Sequence, residues 1–272
     1  MRIRIGYDIE LGLQPPTAVV FLLQVHPDRA QDLLAVDTPR LEPPLMRDGY
    51  TDAFGNRCVR VRVPEGVTRL ALHARALVND SGLPDPVPAD APAWPVDRLP
   101  PETLAFLLPS RYCEVDSELM AFAWQRFGAL PAGWPRVQAV CDFVHAHLRF
   151  DYQCAQPTRS ARGAFHERVG VCRDFTHLAL TLCRCLNIPA RYVTGYLGDI
   201  GVPPAHHPMD FSAWFEVWLG GRWYSVDARH NRPRIGRIVI ARGRDAADVP
   251  ITMVFGEHQL LRFDVVTELE AP

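Results

Sequence analysis

Polar and hydrophobic positions alternate with period two along residues 2–11, RIRIGYDIEL, placing Ile3, Ile5, Tyr7 and Ile9 on one face. That alternation predicts a half-buried strand. A short, nearly all-apolar run follows at 17–25, TAVVFLLQV. Alternation returns in NRCVRVRVP (56–64) after the turn signal Gly55-Asn56, and VTRLALHARALV (67–78) follows Pro64-Glu65-Gly66. Several strands at short spacing with no helical period predict a small all-β, sandwich-like domain over residues 1–80. The next stretch, SGLPDPVPADAPAWPVDRLPP, carries too much proline to continue a helix or a central strand. Residues 81–104 therefore read as a linker or a strap laid over the surface, with a second domain over 105–272.

In that second part the period changes to helical. SELMAFAWQRFG (117–128) has a Ser start and a Gly stop. PRVQAVCDFVHAHLRF (135–150) lines up Val137, Val140, Cys141, Val144 and Leu148 on one stripe, with Pro135 suited to a first turn. A third helix is expected from about Cys172 to Leu186, ended by Asn187, before a strand at 190–198. From about 211 to 269 the pattern is β again. Helices followed by strands make an α+β domain.

Within it, FSAWFEVWLGGRWYSVDAR (211–229) reads as a hairpin turning at Gly220-Gly221. Its register sets Leu219 opposite Arg222 and Trp214 opposite Asp227. One face carries Ala213, Phe215, Val217, Leu219, Tyr224, Val226 and Ala228, which is a core. The other carries Ser212, Trp214, Glu216, Trp218, Trp223, Ser225 and Asp227, aromatic walls mixed with polar heads. Such a face is either a half-exposed sheet surface or, if the cysteine helix lies against it, a pocket.

Composition narrows the function classes. Lys and Arg number 29 against 31 Asp and Glu, for a net charge of −2, without the basic stripe that nucleic-acid binding requires. No window reaches the ~18 consecutive apolar residues of a membrane span, and the N-terminus lacks the apolar core of a signal peptide, so a cytoplasmic location is expected. Seven cysteines without a disulfide-scaffold spacing then read as reduced thiols. Neither the cysteine spacing nor any His pair suggests a metal site, and no glycine-rich phosphate loop calls for a cofactor.

Cys172 is the exception among the thiols. At a helix start, unpaired N–H groups and the macrodipole favour a thiolate, and Arg173 adds positive charge, whereas Cys183 and Cys185 sit deeper as packing groups. Taken alone, Cys172 is either a packing residue or a nucleophile.

GVCRDFTHLALTLCRCLNIPARYVTGYLG (170–198) and FSAWFEVWLGGRWYSVDARHN (211–231), with LPSRYCEVDS (108–117) and DARHNRPRIGRIVIARGRDAADV (227–249), together resemble the transglutaminase-like superfamily. The resemblance is closest to its bacterial branch, which sets a β-domain ahead of a papain-like thiol core. It implies an α+β fold of helices packed on an antiparallel sheet, and acyl transfer on a peptide or protein amide by a cysteine peptidase or amidase. The family's nucleophile falls on Cys172 and its orienting acid on Asp227. The family's histidine position is filled by Ser212, which has no group titrating near neutral pH. Removing the base of a linked catalytic set costs on the order of 10⁶ in rate, so weakened activity is expected. His206 and His207, just upstream, are candidate substitute bases. His230 faces the other way if the strand runs past Ala228, and His177 reads as a core histidine. By analogy with papain-like sites, Gln153 is a candidate oxyanion donor, and Trp214, Trp218 and Trp223 are candidate substrate contacts. Two further readings remain: a non-catalytic peptide-binding module using the aromatic-lined cleft, and a transglutaminase proper joining glutamine to lysine, with hydrolysis as the simpler outcome.

Overall fold

Inward-facing side chains at every second position draw the first strands together. The computed structural model describes residues 1–35, 37–204 and 208–270. Six strands come first: β1 (Arg2–Leu13), β2 (Thr17–Phe21), β3 (Arg40–Glu42), β4 (Arg47–Thr51), β5 (Arg57–Val63) and β6 (Arg69–Asn79). On β1, Ile3, Ile5, Tyr7, Ile9 and Leu11 are each at most 1% exposed and pack with Val19, Phe21, Val61 and Leu72. Each such aliphatic side chain contributes about 2 kcal/mol by leaving water.

The strap then leads to α1 (Pro101–Leu104), α2 (Glu118–Phe127) and α3 (Trp134–His147). Ser117 caps α2 by accepting the Leu119 N–H at 3.3 Å. Next come β7 (Arg149–Phe150), α4 (Ala161–Glu167), β8 (Val169–Gly170) and α5 (Cys172–Cys185). A second sheet is built from β9 (Ala190–Tyr196), β10 (Ser212–Leu219), β11 (Arg222–Val226) and β12 (Ile238–Gly243), in the order β11-β10-β9-β12. Helix α5 is buried from Asp174 to Cys185 and is central: Phe175, Leu178 and Leu182 pack with Ala213, Phe215 and Val217 of β10, while α2, α3 and α4 surround its other sides.

The chain end corrects the expected domain boundary. β13 (Thr252–Val254) pairs with β2, and β14 (His258–Leu269) pairs with β1 from Ile3↔Leu269 to Leu13↔His258. The last twenty residues thus complete the two N-terminal sheets, β14-β1-β6-β3 and β13-β2-β5-β4, and do not extend the thiol domain. No sequence signal tells a returning strand which sheet to join; the open edges of β1 and β2 decide it. The N-terminal sheets also reach β12 directly, through His26 N–H to Val239 O (2.9 Å) and Asn56 to Arg242. No helix among the described residues is long and apolar enough to cross a membrane.

Candidate active site

Cys172 is the first residue of α5. The helix begins there because Val171 is extended (φ −109°, ψ 179°) and the Asp174 carboxylate accepts the Val171 N–H at 2.8 Å. Asp174 is fully buried against Arg159, 3.1 Å away, which also donates to Cys154 O and Glu167. Gly170 makes room for that carboxylate: a Cβ there would stand 2.6 Å from it. At the other end Asn187 turns into the left-handed region (φ 60°), and the Ile188 N–H closes on Cys183 O at 3.0 Å.

A cleft of about 340 Å³ opens at Cys172. Tyr192 and Thr194 of β9, Phe211, Ser212 and Ala213 at the start of β10, Gln156, and Ile251 and Phe263 from the returning C-terminal segment form its walls. Although Cys172 is partly exposed as a residue, burial of the sulfur pushes the thiol up to about 11. Arg229 and a hydrogen bond from the Ala213 N–H pull the other way, while Asp210 and Asp227 add to the rise. The expectation of a thiolate poised by Arg173 is therefore corrected. Arg173 lines the cleft but donates to Pro157 O (3.0 Å) and Gln156 O and lies over the Tyr112 ring, while Arg229 is the cation that chiefly lowers the thiol.

Ser212 opens β10 opposite Gly195, is 6% exposed and borders this cleft. The hairpin keeps the register Leu219↔Arg222 through Phe215↔Val226, where β11 stops. Asp227 lies just beyond, where strand alternation no longer assigns a face. Its Oδ1 accepts the N–H groups of Arg229 and His230 at 3.0 Å, and its Oδ2 accepts His230 Nδ1 (2.8 Å) and Arg237 (2.9 Å). Burial opposes ionisation, but Arg237 and His230 outweigh it and hold Asp227 well below the usual carboxylate range. Burial also lowers His230, against the pull of Asp227 and together with Arg229 and Arg234, so its ring is neutral at pH 7.

His230 therefore turns back onto Asp227 and does not follow strand parity. The chain turns through residues 228–230 and Asn231 is left-handed (φ 48°). Asn231 and Pro233 were the available turn signal. Nothing in the sequence marked Arg237 or Asp85, which reach the site only through the fold.

The three tryptophans call for the largest correction. Trp214 is 0% exposed and packs with Val193 and Val239 on the face of the sheet opposite α5. Trp218 and Trp223 share that face, edge to face at 5.4 Å, with Arg191 stacked over Trp223 at 4.2 Å. Glu216, 5% exposed, is held there by Arg191 and Arg242. These residues join the second sheet to the N-terminal sheets and do not line the thiol cleft. The alternation of the two faces holds, but the helix covers the other one.

Gln153 is exposed and not part of the cleft wall, where Gln156 stands instead. His206 and His207 lie outside the described residues. His177 is buried, accepts the Ala246 N–H at 3.2 Å and stacks on Tyr112, and burial drives its pKa well below the ordinary value. His145 bonds the carbonyls of Ala228 and Arg229, and His147 that of Phe165. Among the described residues no three His, Cys, Asp or Glu side chains group as metal ligands, and the cysteines are all unpaired.

Comparison with known proteins identifies the family. The family model described as the Transglutaminase-like superfamily matches residues 125–228. An uncharacterised protein of Mycobacterium leprae is 32% identical over 141 residues, half of each chain. One from Mycobacterium bovis is 30% identical over 242 residues, covering 80% of this chain and 73% of the relative. A crystal structure described as a "Putative Cysteine Protease" from Cytophaga hutchinsonii superimposes with a TM-score of 0.85 at 30% identity, covering 100% of this chain and 92% of that one. The chain belongs to the transglutaminase-like superfamily.

Proposed function

We propose that the protein is a transglutaminase-like thiol hydrolase or acyltransferase for peptide-like amides, with Cys172 as nucleophile and Asp227 as orienting acid, impaired because Ser212 stands where the family carries histidine. The observation that carries this reading is the placement of Cys172 at the start of α5, facing the start of β10 across an open cleft with the Ala213 N–H on its sulfur. The sulfur would attack an amide carbonyl, and the thioester would be resolved by water or an amine. First-turn N–H groups of α5, which lack partners within the helix, would donate to the developing oxyanion. The relative from Cytophaga hutchinsonii, described as a "Putative Cysteine Protease", supports the same class of chemistry.

Ser212→His tests the proposal. An imidazole there should raise hydrolysis of a peptide anilide by about 10²-fold or more, and Cys172→Ala in the same background should abolish the gain. No gain, with peptide binding retained in calorimetry, would favour a binding module instead. Its walls would then be Tyr192, Phe211 and Phe263.

A further inference from the structure

Thiol chemistry at Cys172 needs a proton acceptor, and Ser212 is not one. We infer that His230 is a substitute base, supplying the residual activity of the impaired site that Ser212 cannot, a role that rests on the thiol reading above. Three observations carry it.

The first is the carboxylate. Asp227, the residue that would orient the family's histidine, instead binds His230 Nδ1 at 2.8 Å. A neutral imidazole that donates from Nδ1 to a carboxylate keeps a lone pair on Nε2. No described residue hydrogen-bonds that nitrogen, and the side chain is 18% exposed.

The second is location. Ser212 borders the Cys172 cleft and also the adjoining one lined by Tyr152, Asp210, Arg229, His230 and Arg234. Asp227 and Arg229 lie close enough to act electrostatically on both the thiol and the imidazole. The charged and titratable groups around the ring are Asp227, Arg229 and Arg234 from its own turn, Arg237 leading into β12, and Tyr152, Asp199 and Asp210 from neighbouring loops; Cys172 lines the cleft on the other side of Ser212.

The third is the backing. Arg237 donates to Asp227 at 2.9 Å and to Asp85 at 2.8 Å. Asp85 comes from the proline-rich strap, which is pinned to the same turn by Asp85 N–H to Arg234 O (2.8 Å) and Arg234 N–H to the Asp85 carboxylate (2.9 Å). The row Asp85–Arg237–Asp227 keeps the last carboxylate ionised beside the imidazole. Asp85 and Arg237 are therefore positioning residues.

In the reaction, the Sγ proton passes to Nε2, directly or through one water, as the S–C bond forms. Collapse of the tetrahedral intermediate breaks the C–N bond, and the imidazolium proton leaves on the amine. Water then attacks the thioester, giving a proton to Nε2 that returns to sulfur as the C–S bond breaks.

The test uses the full chain with p-nitrophenyl acetate, which acylates the thiol and releases nitrophenolate by C–O cleavage. Wild type should show a burst that Cys172→Ala removes; a burst persisting in that variant would overturn both the thiol reading and this one. His230→Gln should slow acylation and turnover at pH 7.5 by about 10²-fold and remove the rise of rate with pH that follows His230 ionisation. Asp85→Asn should keep the burst while shifting that pH midpoint. Should His230→Gln unfold, ¹⁵N shifts of the wild-type ring decide: the Nδ1–H tautomer with a titrating Nε2 is expected, and a ring protonated at Nε2 when neutral would overturn the assignment. A folded His230→Gln with full rate would overturn it too, as would loss of rate only in a His206→Asn, His207→Asn double variant, which would move the base to the preceding loop while leaving Cys172 as nucleophile.

Discussion

The proton on the Cys172 sulfur governs this site at the scale of single residues. Burial holds it on the sulfur up to about 11, so the resting form is a thiol and, in the proposed reaction, the acceptor must act during attack. Iodoacetamide labelling of Cys172 should therefore rise with pH toward a midpoint near 11, not the ordinary thiol value of 9.0. Mass spectrometry of the labelled peptide reads this directly, and a midpoint below 8 would mean the sulfur is armed. Arg229 lowers the thiol pKa, so Arg229→Ala should move the midpoint upward and slow labelling at pH 8 by roughly tenfold per pKa unit gained.

Among the elements, α5 decides where the thiol sits. Its first turn depends on one buried carboxylate, Asp174, which joins the Val171 N–H to Arg159. Asp174→Ala would take from the Arg159 guanidinium its buried carboxylate partner, leaving it Glu167 and Cys154 O, and would leave the Val171 N–H bare. The expected cost is about 3 kcal/mol, read as a lower urea midpoint. Because the same contacts start the helix at Cys172, labelling of that thiol should change in parallel; an unchanged midpoint would show that the turn is held by packing alone. The reverse face of the second sheet is equally constrained, with Glu216 gripped by two arginines where it meets the N-terminal sheets.

Whole-molecule stability depends on the chain end returning to its beginning. A chain stopped at Val249 would lose β13 and β14, one of the two neighbours of β1, and with them the Ile251 and Phe263 walls of the cleft. It should unfold without a single cooperative urea transition; retention of the wild-type transition would show that β14 is dispensable. Buried thiols add a pH dependence. Burial raises Cys113, Cys141, Cys172, Cys183 and Cys185 above the ordinary 9.0. A raised thiol contributes stability below its unfolded pKa and loses it as the unfolded chain ionises first. The urea midpoint, under reducing conditions, should therefore fall steadily from pH 8 to pH 11.

Local order along the chain determined the elements: the alternation of β1, the Ser117 cap, the Cys172 helix start and the Gly220-Gly221 hairpin all follow from spacing and turn chemistry between near neighbours. The position of Cys172 at a helix start was legible for the same reason, as was the absence of an imidazole at 212. Tertiary structure decided everything that depends on which surface meets which. A strand's alternation defines two faces but does not say which one a helix will cover, so the tryptophans of 214–223 took the reverse side. Strand parity likewise ends where hydrogen bonding ends, and the stop at Val226 turned His230 back onto Asp227. Arg237 reached that carboxylate with Asp85 behind it from a distant segment, and β14 crossed the whole chain to pair with β1. Such contacts follow from burial and charge balance among distant segments, which no local pattern encodes.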